Sequence, residues 1–225
     1  MPHSRYKEIL TNLLYIRDCP SRRFFCFYTY ICTMKKLIVI DACVREGDSR
    51  TRRIAAPVIE ALSKRYDIET IRLTEMEMAA VTPEIYADRG RGIVPQWASE
   101  AARKIANADR ILIAAPFWDM SFPSALKVFI ENVSLFDITF TDNGSTCVGL
   151  CHCEKVLYIT TRGMNIPTGD PREQATPYLK ALSTLWNIGE IITVARWNMD
   201  YSTPEEIEQK VGSAIEEGLK IAETF

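Results

Sequence analysis

The chain has 225 residues, enough for one ordinary domain with a full hydrophobic core and short for two. Its 47% apolar and 25% charged residues suit a globular protein, and a formal net charge of -2 gives no reason to expect nucleic acid as a partner. No apolar run approaches the roughly 18 to 20 residues needed to cross a bilayer, so no membrane span is expected.

Residues 1–33 read differently from the rest. Aromatic, Cys and Arg residues alternate there without a helical or strand period, and Met34, Lys35 and Lys36 then open a clean strand. The stretch 24–32 follows Arg22 and Arg23 and has the short apolar run of a signal peptide, but no small-residue cleavage site. We expect the domain to begin at Met34, with 1–33 a poorly ordered extension from an upstream start codon; a genuine extra element or anchor is the alternative. Seven cysteines (Cys19, Cys26, Cys32, Cys43, Cys147, Cys151, Cys153) form an odd, mostly scattered set. That argues against a secreted disulfide framework and for the reducing cytoplasm.

From Met34 onward, short apolar runs alternate with amphipathic segments. The first strand is expected at 37–40, followed by a helix at 49–65. A strand at 68–73, a helix at 95–108 and a strand at 111–114 come next. A helix at 123–135, a strand at 156–160, a helix at 176–187 and a strand at 191–196 continue the alternation. The last helix, 204–222, is the best marked: Thr203 caps it, Pro204 suits its first position and Glu206 completes a capping box. Strict alternation is the sign of βαβ units around a parallel sheet. It points to an α/β, flavodoxin-like, doubly wound sheet of five strands in the order 2-1-3-4-5, with the ligand at the carboxyl ends of the strands. The loops after strands one, three and four are therefore where chemistry is expected.

The first loop leads from Asp41 through Cys43, Arg45 and Asp48 into Ser49, Arg50 and Thr51 at a helix start. A helix N-terminus offers unpaired N–H groups and a positive dipole end, to which Ser49 and Thr51 add hydroxyls and Arg50 a charge. A phosphate site and simple helix capping by Asp48 or Ser49 are both open readings. Neither GxGxxG nor GxxxxGK[ST] is present, which disfavours a dinucleotide or P-loop site and leaves a monophosphate allowed.

In the second loop an apolar strand ends in Pro116, followed by Phe117, Trp118, Asp119, Met120, Ser121 and Phe122, and Pro123 opens the next helix. Aromatic and backbone groups at a sheet edge suit a flat ring needing one wall and polar contacts at its rim; Phe117 and Trp118 as a simple cover for the sheet end is the other open reading. The run from Pro116 to Lys127, with Glu131 beyond it, resembles the P-[MLF]-[YW]-N-F-x-x-P-x-x-L-K-x-x-[IF]-D segment of FMN-dependent NADH azoreductases and NADH:quinone oxidoreductases. The likeness extends from Met34 to the C-terminus. In that family an S-x-S loop binds the FMN phosphate, which implies that role for Ser49, Arg50 and Thr51. Thr160, Thr161, Arg162, Gly163 and Met164 are similar to the family's T-S-R-G-G loop, which lines the flavin ring. Gly163 would then let backbone approach the ring.

The resemblance thus implies cofactor contacts from Ser49, Arg50, Thr51, Pro116, Phe117, Trp118, Asp119, Met120, Thr161, Arg162, Gly163 and Met164. Three positions depart from the pattern. Asp119 replaces an Asn, putting at the flavin rim an acceptor that donates only when protonated. Met164 replaces the second Gly of the third loop, and Ala42 stands where a Ser would offer a hydroxyl.

Cys147, Cys151, His152 and Cys153 crowd into seven residues but lack the two separated pairs of a structural zinc site, so no metal is expected; reactive thiols and ordinary partly buried residues are the other readings. His3 and His152 are the only histidines and neither falls in the three loops, which disfavours a Ser/His/Asp or Cys/His hydrolase. Arg45, Arg50, Arg89, Arg91 and Arg162 could approach a nucleotide phosphate or lie on a solvated face.

The resemblance implies an NAD(P)H-dependent FMN oxidoreductase that passes two electrons to quinones or azo compounds by a ping-pong mechanism. It also implies a homodimer, with 136–153 as a dimer or pocket element because this region breaks the alternation. The rival is a flavodoxin-like FMN electron carrier or binding protein serving a protein partner. Such carriers are strongly acidic and lack the segment from Pro116 to Lys127.

Overall fold

The computed structural model describes residues 34–45 and 47–225, and the expected N-terminal extension, 1–33, lies outside them. Five strands form one parallel sheet: β1 (Lys35–Asp41), β2 (Tyr66–Arg72), β3 (Arg110–Ala114), β6 (Lys155–Thr161) and β7 (Glu190–Arg196), in the order β2-β1-β3-β6-β7. This is the expected 2-1-3-4-5 topology, renumbered because a hairpin of β4 (Phe140–Asp142) and β5 (Cys147–Gly149) intervenes.

Strand periodicity divides the core. Side chains two apart point to one face, so Leu37, Val39, Leu112, Ala114, Leu157 and Ile159 pack under α1 (Arg50–Leu62) and α6 (Pro204–Ala222). Ile38, Ile40, Ile111, Ile113, Val156 and Tyr158 face α3 (Gln96–Ala106), α4 (Ser124–Val133) and α5 (Ala175–Trp186). With both faces covered, the central strands carry continuous apolar runs, as a buried parallel sheet requires.

The five predicted helices are all present, the last with its expected bounds and the others shifted by one to three residues at their ends, several because capping residues lie outside the helix. Ser49 caps α1, Pro95 and Pro123 precede α3 and α4, and Asn187 ends α5 in the left-handed region at φ 61°. The first helix stops at Leu62, three residues short of the expected end. Around Thr203 both halves of the capping box are formed.

Helix α2 (Pro83–Gly90) and the β4–β5 hairpin were not expected. The helix has a Thr82 cap and Pro at its start but no buried residue, so no apolar stripe announced it. Arg89 ties it to α4 by donating to the Glu131 carbonyl (3.0 Å) and to Asn132 Oδ1 (3.1 Å). The β4–β5 hairpin resolves the break in alternation at 136–153. Its strands have three residues each, and the Asn143 side chain accepts from the Ser145 and Thr146 amides in its turn.

Candidate functional site

The loops after β1, β3 and β6 meet in one cleft at the carboxyl edge of the sheet. Its walls are Arg45, Asp48, Ser49, Arg50 and Thr51 from the first loop, Pro116, Phe117 and Trp118 from the second, and Thr161 and Gly163 from the third; Asp200 closes it from the loop after β7. Of the twelve candidate contacts, eight line this cleft.

An ion pair shapes the first loop. Buried Asp41, the last residue of β1, accepts from Arg52 Nε (2.9 Å) and from the Cys43 amide (2.9 Å), while Arg52 Nη2 donates to the Cys43 carbonyl (2.9 Å). The chain is thereby turned into α1 with Ser49 as its cap, the Ser49 hydroxyl accepting from the Arg52 amide (3.2 Å). Capping occupies an acceptor lone pair of Ser49 and leaves its O–H proton to donate. The amides of Arg50 and Thr51 have no intrahelical carbonyl to bond, and they lie at the positive end of the helix dipole. The Thr51 hydroxyl, fully buried, shares a hydrogen bond of 2.7 Å with the Thr161 hydroxyl, locking the first loop to the third.

The second loop ends in a tight reversal. Trp118 and Ser121 exchange backbone hydrogen bonds of 3.0 and 2.8 Å, with Asp119 and Met120 between them at φ 48° and 66°. Two consecutive positive φ angles mark a type I′ turn, which Asp tolerates and Met does not favour. The Gln174 amide pins this turn through the Met120 carbonyl (2.9 Å). Trp118 is half exposed at the cleft wall, whereas Phe117 is buried beneath it. Leu126 of the family-like segment is a core residue. Lys127 pairs with Glu131 (2.6 Å) and lies 5.5 Å over the Tyr178 ring, which packs edge-on against Phe122.

Arg162 requires a correction. Its side chain is 0% exposed and points into the protein, donating to the Ile166 carbonyl (2.9 Å) and Thr168 Oγ1 (3.1 Å), with buried Glu173 at 3.7 Å. Its guanidinium stacks 5.4 Å from the centre of the Phe117 ring. Burial depresses its pKa, and Glu173 opposes that shift. Arg162 is thus a clamp beneath the loops rather than a wall of the cleft. Asp119, Met120 and Met164 are also absent from the walls; all three are exposed, Asp119 and Met120 at the turn tip.

Gly163 has an ordinary negative φ. An added Cβ would meet the Asp200 carboxylate at 2.0 Å, so the space it leaves admits that side chain. Asp200 is the residue that sequence reasoning missed. The signal was available, since its loop also follows a strand's carboxyl end.

The cysteine cluster is dispersed. Cys147 is exposed on β5 while Cys151 and Cys153 are buried, their thiols pushed up to about 12 by burial. Among the described residues no group of three or more His, Cys, Asp or Glu side chains could hold a metal ion. Of the other arginines considered, Arg91 pairs with Asp88 and only Arg45 and Arg50 reach the cleft. Among the described residues no helix is long and apolar enough to cross a membrane.

Comparison with known proteins agrees with this fold. The family described as flavodoxin-like fold matches residues 35–219. An FMN-dependent NADH:quinone oxidoreductase from Clostridium perfringens is 30% identical over 200 residues, covering 85% of this chain and 100% of that protein. One from Clostridium acetobutylicum is 29% identical over 202 residues, with coverage of 85% and 100%. Among solved structures, an azoreductase from Bacillus anthracis superposes with a TM-score of 0.71 at 18% identity, covering 85% of this chain and 100% of that one. An FMN-dependent NADH-azoreductase from Bacillus anthracis in complex with FMN gives 0.68 at 21% identity, covering 84% and 100%. The chain belongs to the flavodoxin-like fold family, alongside the FMN-dependent NADH:quinone oxidoreductases.

Proposed function

We propose that the protein is an FMN-dependent oxidoreductase that passes two electrons from NADH or NADPH to quinones or azo compounds, with donor and acceptor using the same pocket in turn. The observation that carries this reading is the meeting of three loops around the N-terminus of α1, with hydroxyl, amide and guanidinium donors on one side and Trp118 on the other. That donor set suits a phosphate ester, and the aromatic and backbone wall suits a flat ring.

Ser49, Thr51, Arg50 and the first amides of α1 would hold the phosphate. Pro116, Phe117 and Trp118 would form one wall of the ring site, and Thr161 and Gly163 the other. Bound FMN supplies the hydride chemistry. The chain supplies binding, orientation and exclusion of water: Thr51 and Thr161 join the two loops, and Arg162 with Glu173 fixes the third from below. Trp118, Met120 and Met164 leave apolar surface exposed around the mouth. A second subunit of a homodimer would cover it and complete the acceptor pocket. Free thiols at Cys43, Cys147, Cys151 and Cys153 support a cytoplasmic location.

The test is anaerobic. The protein is loaded with FMN, NADH is added, and the visible flavin absorbance is followed. Bleaching that a quinone reverses is the expected result. FMN that binds but stays oxidised with both NADH and NADPH would favour the electron carrier, and failure to bind FMN would remove the flavin reading.

A further inference from the structure

The cleft that would receive the phosphate already contains an anion. Arg50, the first residue of α1, donates from Nη1 to Asp200 Oδ1 at 2.8 Å, and both residues line the cleft. Asp200 is carried on the β7–α6 loop, which runs along the third loop through hydrogen bonds from the Asn198, Met199 and Asp200 amides to the Met164, Arg162 and Gly163 carbonyls (2.9, 3.1 and 3.1 Å). Its backbone is thus fixed while its side chain is 65% exposed, against 27% for Arg50. The space for the carboxylate exists because residue 163 lacks a Cβ, which would fall 2.0 Å from Asp200 Oδ2.

We propose that Asp200 is an exchangeable counter-anion of the phosphate subsite, holding the Arg50 guanidinium until the cofactor's phosphate takes it over. This rests on the FMN reading above and adds a specificity-determining residue to it. Three observations carry the exchange. Helix α1 has no acidic residue in its first turn, and the carboxylates facing its positive end are Asp48 just before the cap and Asp200 from a distant loop, of which Asp200 is the one bonded to Arg50. The charged residues lining the cleft, Arg45, Arg50, Asp48 and Asp200, balance to zero before any ligand enters, so a phosphate dianion makes the site net negative, and a carboxylate that turns away reduces that excess. The exposed Asp200 side chain has solvent to turn into, and a single exposed ion pair of this kind is weak enough to be released.

The consequence is that Asp200 weakens binding of the phosphate-bearing cofactor and leaves its phosphate-free analogue untouched. Cofactor-stripped protein is titrated with FMN and with riboflavin by flavin fluorescence at fixed ionic strength, for wild type, Asp200→Asn, Arg50→Ala and the double variant. Melting temperature is recorded for each to confirm folding, and Asp200→Ser serves as a second neutral variant. Asp200→Asn and Asp200→Ser should bind FMN about threefold to tenfold more tightly, a gain of up to about 1.4 kcal/mol, with riboflavin affinity unchanged. In the Arg50→Ala background the gain should shrink, leaving only the direct repulsion between Asp200 and the phosphate. Unchanged or weaker FMN binding by the Asp200 variants, or equal tightening of riboflavin, would overturn the proposal while leaving the cofactor reading intact. Wild-type protein that binds no FMN would remove both.

Discussion

Replacing Arg162 by Met is a direct test of what holds the third loop. The guanidinium and the Glu173 carboxylate are both 0% exposed, 3.7 Å apart. Arg162→Met removes the bonds to the Ile166 carbonyl and Thr168 Oγ1 and leaves Glu173 with the Thr176 amide (2.8 Å) as its remaining bond. It also ends the stacking on Phe117. Breaking a buried pair by removing one partner costs about 3–5 kcal/mol, chiefly because the other charge is stranded. Against a stability of about 5–15 kcal/mol, that is a large fraction. Glu173→Gln strands the cation instead and should cost slightly less, since the guanidinium keeps two acceptors. The double variant strands no charge, so its cost should fall short of the sum of the singles by about 1–3 kcal/mol. Urea unfolding followed both by fluorescence of the tryptophans, among them buried Trp186, and by far-UV circular dichroism gives the values and tests two-state behaviour. A cost under about 1 kcal/mol for Arg162→Met, or singles that simply add, would refute the clamp.

The thiols of Cys43, Cys151 and Cys153 are each pushed up to about 12, first of all by burial, from an ordinary value of 9.0. Between those values the unfolded chain has lost the proton that the folded chain keeps, so their contribution is complete below pH 9 and declines toward pH 12 by about 1.4 kcal/mol per pH unit for each thiol. Unfolding midpoints should fall across that window, and less steeply in Cys43→Ala than in wild type; at pH 8, iodoacetamide should modify exposed Cys147 and spare these three in peptide mass mapping. Gly149→Ala should destabilise by about 2–3 kcal/mol because its Cβ would fall 2.3 Å from the Trp186 backbone carbon, whereas Gly163→Ala meets only a movable carboxylate and should cost under about 1 kcal/mol in the same assay. Met120→Gly relieves the left-handed backbone at φ 66° and should raise the melting temperature by a few degrees, with a drop refuting the turn assignment. Asp119→Asn keeps the turn and removes a negative charge near the proposed ring site, so the midpoint potential of bound FMN should rise by about 10–20 mV; an unchanged value would place that carboxylate beyond the flavin's reach.

How much of this was legible in the sequence follows from the range over which each feature is determined. Among the described residues, the five sheet strands and five of the six α-helices are written in local periodicity and capping. Apolar runs such as Ile111 to Ala114 have one reading in a two-sided sheet, and Thr203, Pro204 and Glu206 specify a helix start within four residues. Helix α2 escaped because it buries nothing: its caps were present, but caps without an apolar stripe are common in loops. The β4–β5 hairpin escaped for a related reason. Three-residue strands are too short to show alternation, and Asp142, Asn143 and Gly144 mark a turn without saying that the flanks pair.

The site divides along the same line. Topology predicts which strand ends converge, so the sequence alone brings Ser49, Trp118 and Thr161 together. Charge pairing obeys no such rule. Arg50 and Arg162 look alike in sequence, each beside a hydroxyl residue in the stretch that follows a sheet strand. One lines the cleft, bonded to a carboxylate 150 positions away, and the other is sealed under Phe117 with Glu173. The difference arises from register. Thr161 is the last residue of β6 and turns toward the cleft, and its neighbour Arg162 is carried to the opposite side, into the space beneath the second loop. Applied one residue past the strand end, strand alternation would have separated a cleft residue from a clamp; motif resemblance, which treats the whole loop as a ligand surface, could not.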